Sequence, residues 1–278
     1  MSAVAEAVAA GRLPGRVWMY ADYHCNLACT YCLTESAPKS PHRVIGHARM
    51  VEIADEAAQL GFTDLGVTGG EPFLLRWLPE ALIEMAQRLP VLVLTNGTLF
   101  TRRRIEQLRA LAGHPVAMQI SLDRPDPDDN DAMRGQENFR KVVDSVPRLV
   151  EQGIRVRIAT TVESIEDAEL DRLCALHRSL GVPDEDHIVR PIVRRGRAID
   201  YDLGVAARPA DLPAELTITV DGAFWSPFGP TVHDGVLDTD LLITRTTRPL
   251  STPANALLRL AGEHAGDAQG DDVTLNIR

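Results

Sequence analysis

Short apolar runs alternate with longer stretches of helical periodicity from Arg16 to about Ile192, with no Gly/Ser linker or low-complexity segment between them. Runs rich in branched side chains predict six strands, over residues 17–21, 65–68, 91–95, 116–122, 156–162 and 187–192. Between them Met50, Ile53, Ala54, Ala57 and Leu60 recur at helical spacing, as do Leu78, Leu82, Met85 and Leu89, and then Ile105, Leu108 and Leu111. Phe139, Val142, Val143, Val146 and Val150 mark a fourth helix, which Pro147 should kink. A fifth stripe, Leu170, Leu173, Cys174, His177 and Leu180, follows a capping box of Ser164 and Asp167. Regular alternation of strand and helix is the mark of parallel βα units, which form a partial barrel or an open sheet. The expected fold class is α/β, a partial (β/α)6 barrel, and in either arrangement the chemistry belongs at the carboxyl ends of the strands.

After about Ala198 the rhythm changes. A Pro-rich stretch leads to apolar residues 216–220 and then Phe224-Trp225, around an Asp221-Gly222 turn signal. This predicts an N-terminal tail over 1–15, a core barrel over 16–200 and a small β-containing C-terminal appendage over 201–278, frayed from about Gly262. Trp225 either packs against the barrel or lines a cavity under the appendage.

Composition narrows the partners. A chain of 278 residues, 45% of them hydrophobic, can bury a full core in one large α/β domain. Its formal net charge of −10 disfavours nucleic acid and anionic membrane, which select basic surfaces, and leaves a peptide or small molecule. No apolar run is long enough to span a bilayer, and residues 1–13 lack the basic flank and apolar stretch of a signal peptide, so a cytoplasmic location is expected.

Three of the four cysteines, Cys25, Cys29 and Cys32, fall on one loop after the first predicted strand. That spacing suits a metal better than a disulfide framework. Three thiolates fit a cubane cluster with one iron free of protein ligands, whereas a closed zinc site needs a fourth ligand. His24 is the available candidate, but beside Cys25 its side chain should leave the opposite side. Cys174 shares an apolar helix stripe and reads as a buried structural thiol.

Further motifs stand at successive strand ends. Gly69-Gly70-Glu71-Pro72 follows the second strand, Thr95-Asn96-Gly97 the third and Ser121-Leu122-Asp123 the fourth. Singly, each is an ordinary turn or cap. Together with Cys25-Asn26-Leu27-Ala28-Cys29-Thr30-Tyr31-Cys32 they resemble the radical S-adenosylmethionine superfamily, over roughly residues 16 to 200. The resemblance implies one [4Fe–4S] cluster held by Cys25, Cys29 and Cys32, and S-adenosyl-L-methionine bound near Tyr31, Gly69, Gly70, Glu71, Asn96, Ser121 and Asp123. It implies backbone approach to the cofactor at the two glycines, reductive cleavage of the cofactor and hydrogen abstraction from a C–H bond. An external electron donor of flavodoxin or ferredoxin type is implied as well. The sequence names no catalytic side chain.

Asp131-Ala132-Met133-Arg134-Gly135 and Arg194-Arg195-Gly196-Arg197-Ala198 are similar to the branch that contains molybdopterin-precursor synthase and the peptide-maturing SPASM proteins. That branch usually carries auxiliary-cluster cysteines near the C-terminus, and this chain has none beyond Cys174. Ser226 stands where a SPASM-like hairpin would present one, so the appendage reads as a cluster-free, twitch-like remnant. Gly66 occupies a position where molybdopterin-precursor synthases have an arginine, which argues against that activity. The expected function is a biosynthetic tailoring reaction, in natural-product or cofactor pathways, on a ribosomal peptide or small polar metabolite. The competing expectation is a non-catalytic Fe–S or zinc module. Arg134 is expected to balance the acidic run 126–131, and Arg194, Arg195 and Arg197 to form a solvated face; one of these three, or Arg157, could instead grip an acidic substrate.

Overall fold

A computed structural model describes residues 2–264. Six strands, β1 (Arg16–Tyr20), β2 (Asp64–Thr68), β3 (Val91–Thr95), β4 (Val116–Ser121), β5 (Arg155–Val162) and β6 (His187–Pro191), pair side by side in sequence order, all parallel. Helices follow them as the periodicity predicts: α2 (His47–Leu60), α3 (Leu78–Ala86), α4 (Arg102–Leu108), α6 (Asn138–Glu151) and α7 (Asp167–Ser179). Two helices went unpredicted before α7, α1 (Ala3–Ala9) and α5 (Pro127–Arg134), and one after it, α8 (Ser251–His264).

The expected hairpin is present and extends the same sheet. Strand β7 (Thr217–Thr219) lies parallel to β1 on the side away from β2, and β8 (Gly222–Phe224) and β11 (Leu242–Thr244) continue outward antiparallel. The result is a nine-stranded sheet with β11 at one edge and β6 at the other. A separate pair, β9 (Val232–His233) and β10 (Val236–Leu237), stands apart from it. The indole Nε1 of buried Trp18 donates to Glu215 across the β1–β7 junction at 2.6 Å. Trp225 packs into the main core rather than lining the cavity described below.

Local chemistry explains the departures from expectation. Ser2 caps α1 by accepting from the Ala5 amide, and its hydroxyl donates to the Leu60 carbonyl, so a segment read as a tail is fastened to α2. Helix α7 does not use the predicted capping box: it begins after Glu166 with no side-chain cap, and Asp167 and Glu169 supply negative charge to its first turn instead. Asp126 caps α5 by accepting from the Asp128 and Asp129 amides, and Pro127 opens it, which turns an acidic run into a helix. Helix α6 continues through Pro147 to Glu151. Of the segment expected to fray, Gly262 lies in α8 and residues 265–278 lie outside the described part. No described helix is long and apolar enough to cross a membrane.

One buried contact makes a pH prediction. His177 on α7 has no exposed surface and no hydrogen-bond partner for either ring nitrogen among the described residues, and it meets His187 edge-on at 4.3 Å. Burial foremost, with His187 adding to it, pushes its pKa down from 6.5 to about 3. The unfolded chain therefore takes up a proton here that the folded chain refuses. Stability from the neutral ring is complete above about pH 6.5 and falls by up to ~1.4 kcal/mol per pH unit towards pH 3. His177→Leu should flatten that acid slope in urea titrations and raise stability at pH 7 by about 1–3 kcal/mol, since it removes unsatisfied polar atoms. An unchanged slope would mean that the ring is protonated in the fold.

Candidate functional site

The carboxyl ends of β1 to β6 open on one cavity with about 1130 Å³ of empty space, part of it open to solvent. Cys25, Cys29 and Cys32 all line it, together with Tyr31, Gly69, Gly70, Asn96 and Ser121. Residues from four loops, far apart in sequence, thus meet on one surface. Glu71 and Asp123 do not line the cavity; both are fully buried behind it.

The loop after β1 is held from several sides. Asp22 Oδ1 accepts from the Tyr23, His24 and Arg43 amides, and its other oxygen meets His42 Nδ1 at 2.5 Å. His24 turns away as expected, with Nδ1 2.8 Å from the Ser40 carbonyl and its ring stacked on His42. The Gly69-Gly70 turn packs directly on this loop. The Gly70 amide donates to the Asp22 carbonyl at 2.8 Å and the Glu71 amide to the His24 carbonyl at 2.9 Å. A Cβ on Gly70 would lie 2.1 Å from the His24 oxygen, and one on Gly69, at φ +141°, would lie 2.2 Å from the Asp22 oxygen. The close approach that requires glycine here is to the cysteine loop itself, while both residues also line the cavity.

Glu71 fastens the next loop. Its Oε1 accepts from the Phe73 amide at 3.0 Å and Thr95 Oγ1 at 2.8 Å, and its Oε2 accepts from the Asn96 amide at 2.8 Å. Burial pushes its pKa up, and the Asn96 and Phe73 amides oppose that rise. Asn96 in turn points Nδ2 at Asn26 Oδ1, 3.0 Å away, and at Cys25 Sγ, 3.7 Å away, and accepts from Thr98.

Behind the cysteines, Asp123 accepts from Tyr31 and Arg134 on one oxygen and from the Thr161 amide on the other. Arg134 also donates to the Tyr31 hydroxyl. So Arg134, only 5% exposed, does not balance the acidic run of α5 as expected; it projects inward and neutralises Asp123. Burial pushes the Tyr31 hydroxyl pKa up. Two of the arginines expected on a solvated face are engaged. Arg197 donates to the Cys29 and Ser36 carbonyls at 2.7 and 3.2 Å, and Arg195 pairs with Asp238 and Asp240. Arg194 stays exposed on Asp202, and Arg157 pairs with Asp186 outside the cavity. Cys174 is half-buried and lies 3.7 Å from His187 Nδ1, away from the other thiols.

The donor set discriminates between metals. Sulfurs around one tetrahedral zinc stand ~3.8 Å apart, given Zn–S bonds of about 2.3 Å, whereas cubane ligands bind three different irons and stand farther apart. Among the described residues, the ligand group with all its atoms within 4.8 Å of one another is Glu35, His233 and Asp234; the three cysteines do not form such a group. The Cys25 sulfur also receives N–H donors, Leu27 at 3.4 Å and Asn96 at 3.7 Å. Burial pushes the Cys25 thiol up to about 12 and the Cys29 thiol up as well, so metal uptake would release protons. The residues present fit a three-thiolate cluster.

Against known proteins, residues 23–176 match the Radical SAM superfamily. That is more than half of the chain, which belongs to this family. The probable GTP 3′,8-cyclase of Archaeoglobus fulgidus is 33% identical over 151 residues, 54% of this chain and 50% of that one. The antilisterial bacteriocin subtilosin biosynthesis protein AlbA of Bacillus subtilis is 30% identical over 161 residues, 57% of this chain and 36% of that one. The chain thus spans half or less of the length of these relatives. Streptococcus suis SuiB bound to S-adenosylmethionine shares the fold with a TM-score of 0.54 at 19% identity, over 65% of this chain and 41% of that chain.

Two variants test this geometry. Gly70→Ala should lower iron incorporation on anaerobic reconstitution to under half of the parent's, because its Cβ displaces the backbone next to Cys25; full iron content would show that the loops can part without cost. Arg134→Leu should cost about 3–5 kcal/mol in urea unfolding, since it strands the buried Asp123 carboxylate.

Proposed function

We propose that this chain is a radical S-adenosylmethionine enzyme, with one [4Fe–4S] cluster on Cys25, Cys29 and Cys32, that modifies a ribosomal peptide. The observation that carries the reading is the convergence of three cavity-lining thiols, too widely spaced for one zinc ion, with three further strand-end motifs on one cavity. When bound, the cluster and S-adenosylmethionine supply reductive cleavage of the sulfonium and a carbon radical that removes hydrogen from an unactivated C–H bond.

The chain's own residues orient and shield. Gly69 and Gly70 offer the cofactor a backbone edge, and Asn96 and Ser121 offer polar side chains from the neighbouring strand ends. Tyr31, its hydroxyl already held by Asp123 and Arg134, presents its ring to the cavity for an adenine. Glu71 and Asp123 act as positioning residues behind these contacts. Asn96 directs an N–H at Cys25, a device that stabilises a thiolate ligand and tunes its iron. Pro227 and Phe228 line the cavity, which supports assigning the C-terminal appendage from residue 201, in its described part, to a cover over a core of 16–200. Such a cover excludes water from a radical that would attack whatever lies nearest. Electrons come from a flavodoxin or ferredoxin type donor.

The peptide reading draws on relatives named for bacteriocin biosynthesis, AlbA, and for maturation, the mycofactocin maturase MftC of Mycolicibacterium smegmatis, 29% identical over 182 residues. A nucleotide activity like that of the cyclase relative fits less well. The Trp18 ring lies 2.2 Å from where a Cβ on Gly66 would stand, so no longer side chain enters at that position without displacing the indole.

Anaerobic reconstitution should give about four irons and four sulfides per chain. Ala at Cys25, Cys29 or Cys32 should abolish the cluster, and Cys174→Ala should retain it. The reduced protein should convert S-adenosylmethionine to methionine and 5′-deoxyadenosine. A colourless zinc protein, or a cluster protein that yields neither product, would establish the non-catalytic alternative.

A further inference from the structure

Charges around the cavity are unevenly matched. No aspartate or glutamate lines it, and two arginines do, Arg134 and Arg190. Arg134 is neutralised by Asp123. Arg190, on β6 in register with Thr161 of β5, has no hydrogen bond or ion pair among the described residues, and its Nε is shut off from solvent without a partner. The two basic groups near it, Arg134 and Arg157, are like charges, and Asp123, the acid that faces it, is already engaged by Tyr31, Arg134 and the Thr161 amide. With Nε shut off from solvent and the side chain half-buried at the cavity wall, this unpaired guanidinium gains from any anion that arrives in the cavity.

The loaded site adds little net charge to offset it. A [4Fe–4S] cluster on three thiolates carries about one negative charge in its oxidised form, and S-adenosylmethionine, with two cationic groups and one carboxylate, carries about one positive charge. These cancel, so the excess positive charge of Arg190 stays, and the cofactor's own carboxylate is the one competing partner. The planar fork of a guanidinium is matched by a carboxylate or a phosphate, which it grips through two parallel hydrogen bonds.

We infer that Arg190 is the subsite for an anionic group of the substrate, a carboxylate, set on the β6 wall of the cavity within reach of the reacting centre. This rests on the radical S-adenosylmethionine reading and adds the substrate's chemical class: an acidic peptide, presenting an aspartate, a glutamate or its own C-terminus. The β6 wall continues from Arg190 through Pro191, Ile192 and Val193, which are apolar. The anion therefore anchors a segment that is otherwise held by packing. Because Arg190 makes no internal contact that its loss would break, the same assignment predicts that removing it does not destabilise the fold.

The test uses the reconstituted protein saturated with S-adenosylmethionine, titrated with N-acetyl-L-glutamate and, separately, with inorganic phosphate. The parent should bind N-acetyl-L-glutamate in the millimolar range. Arg190→Met should weaken that binding at least tenfold and Arg190→Lys by less, with S-adenosylmethionine affinity and iron content held within twofold and a melting temperature equal to or above the parent's. Equal N-acetyl-L-glutamate binding by the parent and Arg190→Met, or no binding to the parent, overturns the inference. So does a tenfold loss of S-adenosylmethionine affinity in Arg190→Met, which would assign the guanidinium to the cofactor's own carboxylate. Phosphate binding tenfold tighter than N-acetyl-L-glutamate would replace the acidic peptide by a phosphorylated substrate. Failure of the underlying reading looks different: the parent then holds no cluster or leaves S-adenosylmethionine intact, whatever the anions do.

Discussion

Glu71 is a carboxylate with no exposed surface whose hydrogen bonds reach two strand ends and, through its own amide, a third. A buried carboxylate of this kind is tolerable only when both oxygens are hydrogen-bonded, and three donors from the β2 and β3 ends do this. The rest of the site depends on that arrangement. The carboxylate fixes the Asn96 backbone, Asn96 reaches Cys25, and the Glu71 amide holds the His24 carbonyl beside the same cysteine. Three loops that share no sequence are thereby set in one geometry before any ligand arrives, which is the preorganisation a cluster and a reactive cofactor need.

A second buried acid repeats the device on the far side of the thiols. Asp123 collects Tyr31, Arg134 and the Thr161 amide, so the ends of β4 and β5 and helix α5 are tied to the cysteine loop as β2 and β3 are tied through Glu71. The two carboxylates are hidden from the cavity, and the surface left to ligands is made of thiols, amides, hydroxyls, two guanidinium groups, glycine backbone and apolar side chains. Acidic groups here organise; they do not contact.

Much of this was legible in the sequence because it depends on local patterns. Strand runs and helical stripes located β1 to β6 and the helices α2, α3, α4, α6 and α7, and each cavity motif follows a strand end, where the chain must turn. What escaped was set by tertiary partners. Nothing local says that Arg134 abandons its acidic neighbours for Asp123, or that Arg197 reaches back to the Cys29 carbonyl. The glycines at 69 and 70 were visible, but the reason for them lies in Asp22 and His24, nearly fifty residues earlier. Helix α1 has only Val4 and Ala7 as its buried face, too little apolar signal for a prediction, although its cap, Ser2, was in view. Arg190 belongs to no motif, and only the fold brings it to the cavity.

The strand that presents the cysteine loop has a neighbour on each side, β2 on one and β7 on the other, and the Trp18 amide is met by the Leu216 carbonyl on the β7 side. Were that side bare, β1 would end the sheet with unpaired amides, a ready template for a strand of another molecule. Residues some two hundred positions downstream thus serve as a guard rail. They spare the segment that must stay available to iron from becoming the place where two chains stick together.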